Sequence, residues 1–130
     1  MTVARLKAQD MMTRHVVTID EDRTVAEAVQ LMRSEGVTSL IVNRRDEDDA
    51  YGIMTRRDVV NKVIAEGKNP REVRVSEVMT KPLIMASRGL SLEHCAKLMR
   101  MANIRRLPVF DGQKVIGIVS NTDIFDAIEV

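Results

Sequence analysis

Residues 51–60 read YGIMTRRDVV and residues 116–125 read IGIVSNTDIF. Each stretch is the end of an apolar strand, a hydroxyl residue, an aspartate three places on, and the apolar start of a helix. Thr55 with Asp58 in the first copy answers to Ser120 with Asp123 in the second. A glycine, Gly52 or Gly117, lies inside each strand. A strand–turn–helix unit written twice in 130 residues points to a fold made from two copies of one larger repeat.

Working outward, Asp10-Met-Met-Thr13 matches Glu77-Val-Met-Thr80 at an offset of 67 residues. At that offset Leu31-Met-Arg33 falls on Leu98-Met-Arg100, Gly36 on Asn103, Leu40 on Leu107 and Val42 on Val109. Past the hairpin the offset becomes 65, which gives the first copy a loop two residues longer. Repeats are therefore expected over residues 8–67 and 76–130, joined by a linker over 68–75.

Each copy reads as strand, helix, strand, strand, helix, which makes the fold class α+β: two βαββα repeats. In the first, Val16–Ile19 is a β-branched strand. Thr24 and Glu27 form a capping box ahead of a helix whose apolar stripe is Val25, Ala28, Val29 and Met32. Gly36 is its left-handed cap. Strands over 37–43 and 51–54 follow, joined by the loop RRDEDDA, and the next helix runs to Gly67 with Pro70 just beyond. In the second, Ser91 caps, Leu92, Cys95, Ala96 and Met99 form the stripe, and Asn103 replaces the glycine. Asp111-Gly112 reads as a two-residue hairpin turn between Arg106–Phe110 and Lys114–Val119. In the linker, Val73 and Val75 are candidates for a short strand. Neither repeat is large enough to bury a core alone, so the two are expected to share one.

The hydroxyl–aspartate pair has two readings. As structure, it is a capping box like Thr24/Glu27. As chemistry, a helix N-terminus offers amides and a hydroxyl to phosphate, and an aspartate one turn on can accept two hydrogen bonds from a ribose diol. Glycine inside a strand marks close approach of another backbone or a ligand, and the acid is Asp both times where capping boxes favour Glu. These features weigh toward a nucleotide clamp.

With DMMT and EVMT as openings, IRRLPVFD in the second half and G-I-x-T/S-x-x-D closing both halves, the chain resembles a tandem CBS (cystathionine β-synthase) domain pair from about Asp10 to Ile128. The resemblance implies a pseudo-twofold pair packed around a shared sheet core, with two ligand clefts between the repeats. It implies a regulatory module binding AMP, ADP or ATP, or alternatively S-adenosylmethionine or an NAD-type ligand. One site would use Thr55 and Asp58 as clamp, Leu83, Ile84 and Ile104 against the base, and Arg105 and Arg106 near phosphate. The other would use Ser120 and Asp123, with Val17, Thr18 and Val37 beside the base and Thr38 and Ser39 nearby. Guanidinium groups favour charged phosphates more than hydroxyls do, so the first site is expected to prefer the more highly charged ligand. Leu40-Ile-Val42 stands where the second repeat has the family's Leu107-Pro-Val109.

Composition narrows the partners. Twenty basic and nineteen acidic residues leave a charge of +1, without the basic excess of a nucleic-acid binder. Two Phe, one Tyr and no Trp leave few rings for base stacking. No run is long enough for a membrane span and no signal peptide is evident, so a cytoplasmic location is expected. Cys95 lies on an apolar stripe and reads as a core thiol. His15 and His94 lack ligand spacing, and Asp46–Asp49 reads as a solvated hairpin tip, so no metal site is expected. Arg44–Arg45 and Arg56–Arg57 read as solvated, the latter pair close enough to the clamp to help with phosphate. No catalytic constellation can be assembled, and no required cofactor is expected beyond a regulatory adenine nucleotide. Surplus apolar residues on the terminal helices (Val59, Val60, Val63, Ile64; Ile124, Phe125, Ile128) point to a homodimer. A regulated protein partner is implied but unspecified, and the competing function is a constitutive assembly domain with vestigial clefts.

Overall fold

The computed structural model describes residues 5–130 and bears out the α+β class. Its elements are α1 (Ala8–Met11), β1 (Thr18–Ile19), α2 (Val25–Glu35), β2 (Ser39–Val42), β3 (Gly52–Thr55), α3 (Arg56–Val59), β4 (Ala86–Ser87), α4 (Leu92–Ala102), β5 (Arg106–Phe110), β6 (Val115–Ser120) and α5 (Asn121–Asp126). Helix α3 runs on into a π-helical segment, Val60–Ile64, and a 3-10 turn spans Val75–Glu77. The strands form two three-stranded sheets, β1-β2-β3 and β4-β5-β6, each with a parallel first pair and an antiparallel second pair.

Local chemistry explains most boundaries. Thr24 and Glu27 exchange cap bonds at the start of α2, with Glu27 N donating to Thr24 Oγ1 at 3.1 Å and Thr24 N to Glu27 Oε1 at 3.2 Å. Gly36 and Asn103 end α2 and α4 at φ 66° and 55°, the left-handed conformation that Gly and Asn tolerate. The first strand is shorter than expected, because pairing with β2 covers only Thr18 and Ile19. The second hairpin also departs from the two-residue turn. Phe110 pairs with Val115, and the intervening residues are organised by Asp111, whose Oδ1 accepts from the amides of Gln113 and Lys114 at 2.8 and 2.9 Å. A carboxylate holding two amides stabilises a wider loop than Asp-Gly alone would select.

The chain divides into two compact units, Val17–Leu83, and Ile84–Val130 with the N-terminal segment up to Val16. They differ from the sequence repeats in one respect: each takes its leader from ahead of the other repeat. Residues 68–75 are accordingly no free linker. Val73 and Val75 are buried in the core of the Val17–Leu83 unit with Val25, Leu40, Met54 and Val63. The expected strand there reduces to one bridge, Arg74 with Thr24, followed by the 3-10 turn. In the other unit Ala8 is buried with Cys95, Leu107, Val109 and Val119.

The two leaders dock through equivalent hydrogen bonds. Val75 N donates to Arg23 O and Ser76 N to Glu21 O, while Ala8 N donates to Leu90 O and Gln9 N to Arg88 O. Each leader ends in a Met-Thr step that closes a reciprocal backbone pair with an outer strand, Thr80 with Ile53 at 2.9 Å both ways and Thr13 with Ile118 at 2.9 and 3.0 Å. This contact accounts for the strand glycines. A Cβ on Gly117 would lie 2.5 Å from Met12 Sδ and 3.0 Å from Met12 Cβ; one on Gly52 would lie 3.2 Å from both Met79 Sδ and the Thr80 carbonyl oxygen. The close approach is made by the leader backbone and its methionine.

The two glycines should therefore respond differently to alanine. Gly117→Ala should cost about 1–3 kcal/mol in urea unfolding and be partly rescued by Met12→Ala, which removes the Sδ and Cγ contacts at 2.5 and 2.7 Å and leaves the Cβ at 3.0 Å. Gly52→Ala should not be rescued by Met79→Ala, because the Thr80 carbonyl stays in place. Equal rescue in both cycles would refute this account.

Candidate functional site

At the junction of β3 and α3, Asp58 N donates to Thr55 Oγ1 at 3.2 Å, and Asp58 Oδ2 accepts from Thr55 N at 2.8 Å and Thr55 Oγ1 at 3.1 Å. The other carboxylate oxygen, Oδ1, pairs with Lys62 Nζ at 3.2 Å across one helical turn. Lys62 also donates to the carbonyl of Val78, in the leader of the same unit, at 2.9 Å. The junction of β6 and α5 repeats the cap: Asp123 N donates to Ser120 Oγ at 3.0 Å and Ser120 N to Asp123 Oδ2 at 2.7 Å. Ala127 stands where Lys62 would be, and Asp123 Oδ1 makes no hydrogen bond or ion pair among the described residues.

Both readings of the hydroxyl–aspartate pair are thus visible in one geometry. The capping box is formed in each repeat and uses one carboxylate oxygen. The remaining oxygen is uncommitted at Asp123 and held by a half-exposed lysine at Asp58.

The other residues singled out from the sequence divide between the units. Val17, Thr18, Val37, Thr38, Ser39 and Leu83 lie with Thr55 and Asp58; Ile84, Ile104, Arg105 and Arg106 lie with Ser120 and Asp123. Within each unit the strand register brings a specific pair beside the clamp. Ser39 is opposite Thr55 and Arg56 N donates to the Thr38 carbonyl at 3.0 Å. Arg106 is opposite Ser120 and Asn121 N donates to the Arg105 carbonyl at 2.8 Å. Ser39 and Leu83 are buried, Val17 and Val37 pack against the first core and Ile104 against the second, while Thr18, Ile84 and Arg105 are exposed.

The CBS-domain family pattern matches residues 8–65 and again 75–130, nearly the whole chain in two copies. The chain belongs to the CBS-domain family. It is 42% identical over 113 residues to a protein of Methanopyrus kandleri, covering 85% of this chain and 57% of that one, so it spans little more than half of that relative. It is 34% identical to the CBS domain-containing protein YhcV of Bacillus subtilis, over 89% of this chain and 81% of that protein. The hexameric CBS-CP12 protein from bloom-forming cyanobacteria superposes with a TM-score of 0.90 at 45% identity, over 92% of this chain and 66% of that one.

Other side chains of this CBS pair sort clearly. Cys95 is buried, and burial pushes its thiol pKa up, as fits a core residue. His94 packs its Nδ1 2.7 Å from Ser91 Oγ at the α4 cap, and His15 is exposed. Among the described residues no cluster of His, Cys, Asp and Glu could hold a metal ion, and no helix is long and apolar enough to cross a membrane.

Asp46, Glu47 and Asp48 are exposed, as expected of a solvated hairpin tip, but Asp49 is not. Asp49 accepts from Arg45 Nε at 3.0 Å and from Lys81 Nζ at 2.7 Å, and Glu21 pairs with the same two cations at 3.2 and 3.5 Å. Arg44 stacks over the Tyr51 ring at 5.1 Å. Apart from Arg45 with Asp49, inside the charged run, the partners are 24 to 60 residues apart in sequence, so no local pattern could have revealed the cluster.

Hydrogen bonds from Arg45 and then Lys81 hold the Asp49 carboxyl well below its ordinary value of 3.8. A depressed folded-state pKa contributes stability that is present in full above the unfolded value and is lost as pH falls below it. Stability should therefore decline as pH drops from about 5 toward 2, and Asp49→Asn should lose part of that decline while being less stable at neutral pH. Parallel acid limbs for the two proteins in denaturant titrations would contradict the assignment.

Proposed function

We propose that this CBS pair is a ligand-sensing regulatory module that binds an adenine nucleotide at its two hydroxyl–aspartate clamps. The observation that carries the reading is the uncommitted Oδ1 of Asp123, on a carboxylate already fixed in place by its cap. An acceptor oriented by one bond and open at the other is pre-organised for a diol, and pre-organisation lowers the cost of binding. The Ser120 hydroxyl, which accepts from Asp123 N in the cap, keeps its proton for a phosphate oxygen, whereas the Thr55 amide and hydroxyl are given to Asp58. Arg105, exposed and with its carbonyl accepting from Asn121 N, adds a cation. AMP, ADP or ATP is the ligand class; S-adenosylmethionine and NAD-type molecules present the same ribose.

The module works without turnover, passing its occupancy to a protein partner and acting as a self-associated assembly. The hexameric state of the cyanobacterial relative supports self-association. A second reading, a constitutive assembly domain with vestigial clefts, draws on the capping boxes, which account for Thr55–Asp58 and Ser120–Asp123 without a ligand.

Calorimetry and thermal unfolding separate the two. Binding to the folded state should add about 2.7 kcal/mol at a hundredfold excess over Kd and raise Tm by roughly 2–8 °C. Asp123→Asn and Asp58→Asn should each weaken nucleotide binding by about 1.5–3 kcal/mol at their own site. Combining Arg105→Ala with each aspartate variant assigns the arginine: it is non-additive with the clamp it serves. If the variants lose only about 0.5–2 kcal/mol of stability, and no adenosyl ligand binds the wild type at millimolar concentration, the assembly reading takes over.

A further inference from the structure

Lys62 ties the Asp58 clamp to the leader of its own unit. Its Nζ lies 3.2 Å from Asp58 Oδ1 and donates to the Val78 carbonyl at 2.9 Å. Val78 is buried, whereas the lysine side chain is 46% exposed and has water within reach. From Val78 the connection runs on through the backbone. Thr80 and Ile53 exchange hydrogen bonds at 2.9 Å, and Ile53 precedes Thr55, the hydroxyl partner of Asp58, by two residues. Clamp, lysine, leader and strand form a closed ring of contacts, with Lys62 as its half-exposed member.

The lysine stands in the π-helical segment Val60–Ile64, whose five-residue step shows in Ala65 N donating to Val60 O at 2.8 Å. Single π-helical turns are rare and frequently mark functional sites. The second repeat has neither feature. Its helix α5 ends at Asp126, and Ala127 closes it through Ala127 N donating to Ile124 O at 3.1 Å. The link is therefore a property of one clamp and was not copied with the repeat.

We propose that Lys62 carries the occupancy of the Asp58 clamp to the leader: a ligand hydroxyl that takes Asp58 Oδ1 releases the lysine, and the Val78–Thr80 step loosens from β3. This rests on the nucleotide reading above and adds how one of its two sites signals. Ordering a lysine is costly in side-chain entropy, and two contacts offset that cost where one does so poorly. Once a diol holds Oδ1, the Val78 carbonyl is the lysine's remaining contact. The change stays local. Lys81 remains paired with Glu21 and Asp49, and Leu83 N still donates to Tyr51 O at 2.8 Å. Thr55 keeps its register opposite Ser39, so the clamp survives. The coupling is reciprocal: a docked leader weakens binding at Asp58 as much as the ligand weakens docking. Asp123, without a lysine, binds free of this consequence.

Backbone amide exchange followed by NMR in Asp123→Asn, which confines AMP to the Asp58 clamp, tests this directly. The amides to watch are Met79 N and Thr80 N, bonded to Val75 O and Ile53 O. Saturating AMP should make both exchange several-fold faster, while the amides of Thr13 and Ile118 in the other unit stay unchanged. Lys62→Met keeps the stem and removes the charge, so it should show the faster exchange without ligand and no further change with it. It should also bind AMP more tightly, by up to about fivefold, equivalent to the roughly 1 kcal/mol of a half-exposed ion pair. A purely structural lysine would leave the affinity unchanged, and one that serves the phosphate would make the variant bind more weakly; either result overturns the proposal. AMP that binds the wild type but not Asp123→Asn, or that binds without moving the Met79 and Thr80 amides, overturns it too and leaves the nucleotide reading standing. A wild type that binds no AMP at millimolar concentration overturns both.

Discussion

The backbone pairs between Thr80 and Ile53 and between Thr13 and Ile118 are the constraint from which much of this structure follows. Strands β3 and β6 are the outer strands of their sheets, and an outer strand leaves a row of backbone groups to be satisfied. Each sheet satisfies part of that row with a Met-Thr step from a leader. The approach is close enough that a side chain at the facing strand position would crowd the leader. Because the leader ahead of one repeat serves the other, neither βαββα repeat is complete on its own stretch of chain. Buried Val73 and Val75 make that dependence energetic as well as geometric, since fully burying a valine contributes about 1.5–3 kcal/mol.

The same constraint positions the candidate site. Thr55 and Ser120 follow the bridged residues Ile53 and Ile118 by two positions, so the leader fixes the strand end from which each hydroxyl is presented. The cap then fixes the aspartate. In the Val17–Leu83 unit Lys62 adds a further link by holding both Asp58 and the Val78 carbonyl of the leader. The second unit has no such link, because Ala127 replaces the lysine.

Periodicity and caps made much of the fold legible from sequence: Thr24/Glu27, the α2 and α4 stripes, and the left-handed Gly36 and Asn103 all depend on residues within a turn or two of each other. The leader exchange was not legible. A repeat match at an offset of 67 aligns DMMT with EVMT without saying which sheet either joins, and Lys68–Val75 has a linker's composition although two of its valines are core. For the site, the cap geometry could be read from Thr55–Asp58 and Ser120–Asp123. What separates the two sites could not, because Lys62 and Ala127 lie on helices that looked equivalent. The charge cluster of Glu21, Arg45, Asp49 and Lys81 was hidden for the same reason as the exchange: its members meet only through tertiary folding.

Gly52 and Gly117 illustrate how one observation can be shared between explanations. Inside a strand they signalled close approach, by backbone or by ligand. The leader methionines and the Thr80 carbonyl account for that signal in full, so the glycines no longer count toward a ligand. Support for a clamp then rests on the carboxylates alone, and there the two repeats differ. At Asp58 a ligand hydroxyl would compete with Lys62, an ion pair whose lysine is half exposed and which is worth at most about 1 kcal/mol. Two charge-assisted bonds from a diol exceed that, so the lysine reduces affinity at this clamp without closing it. At Asp123 there is nothing to displace. The repeats are alike in fold and cap, and the single exchange of Lys62 for Ala127 makes one acceptor conditional and the other open.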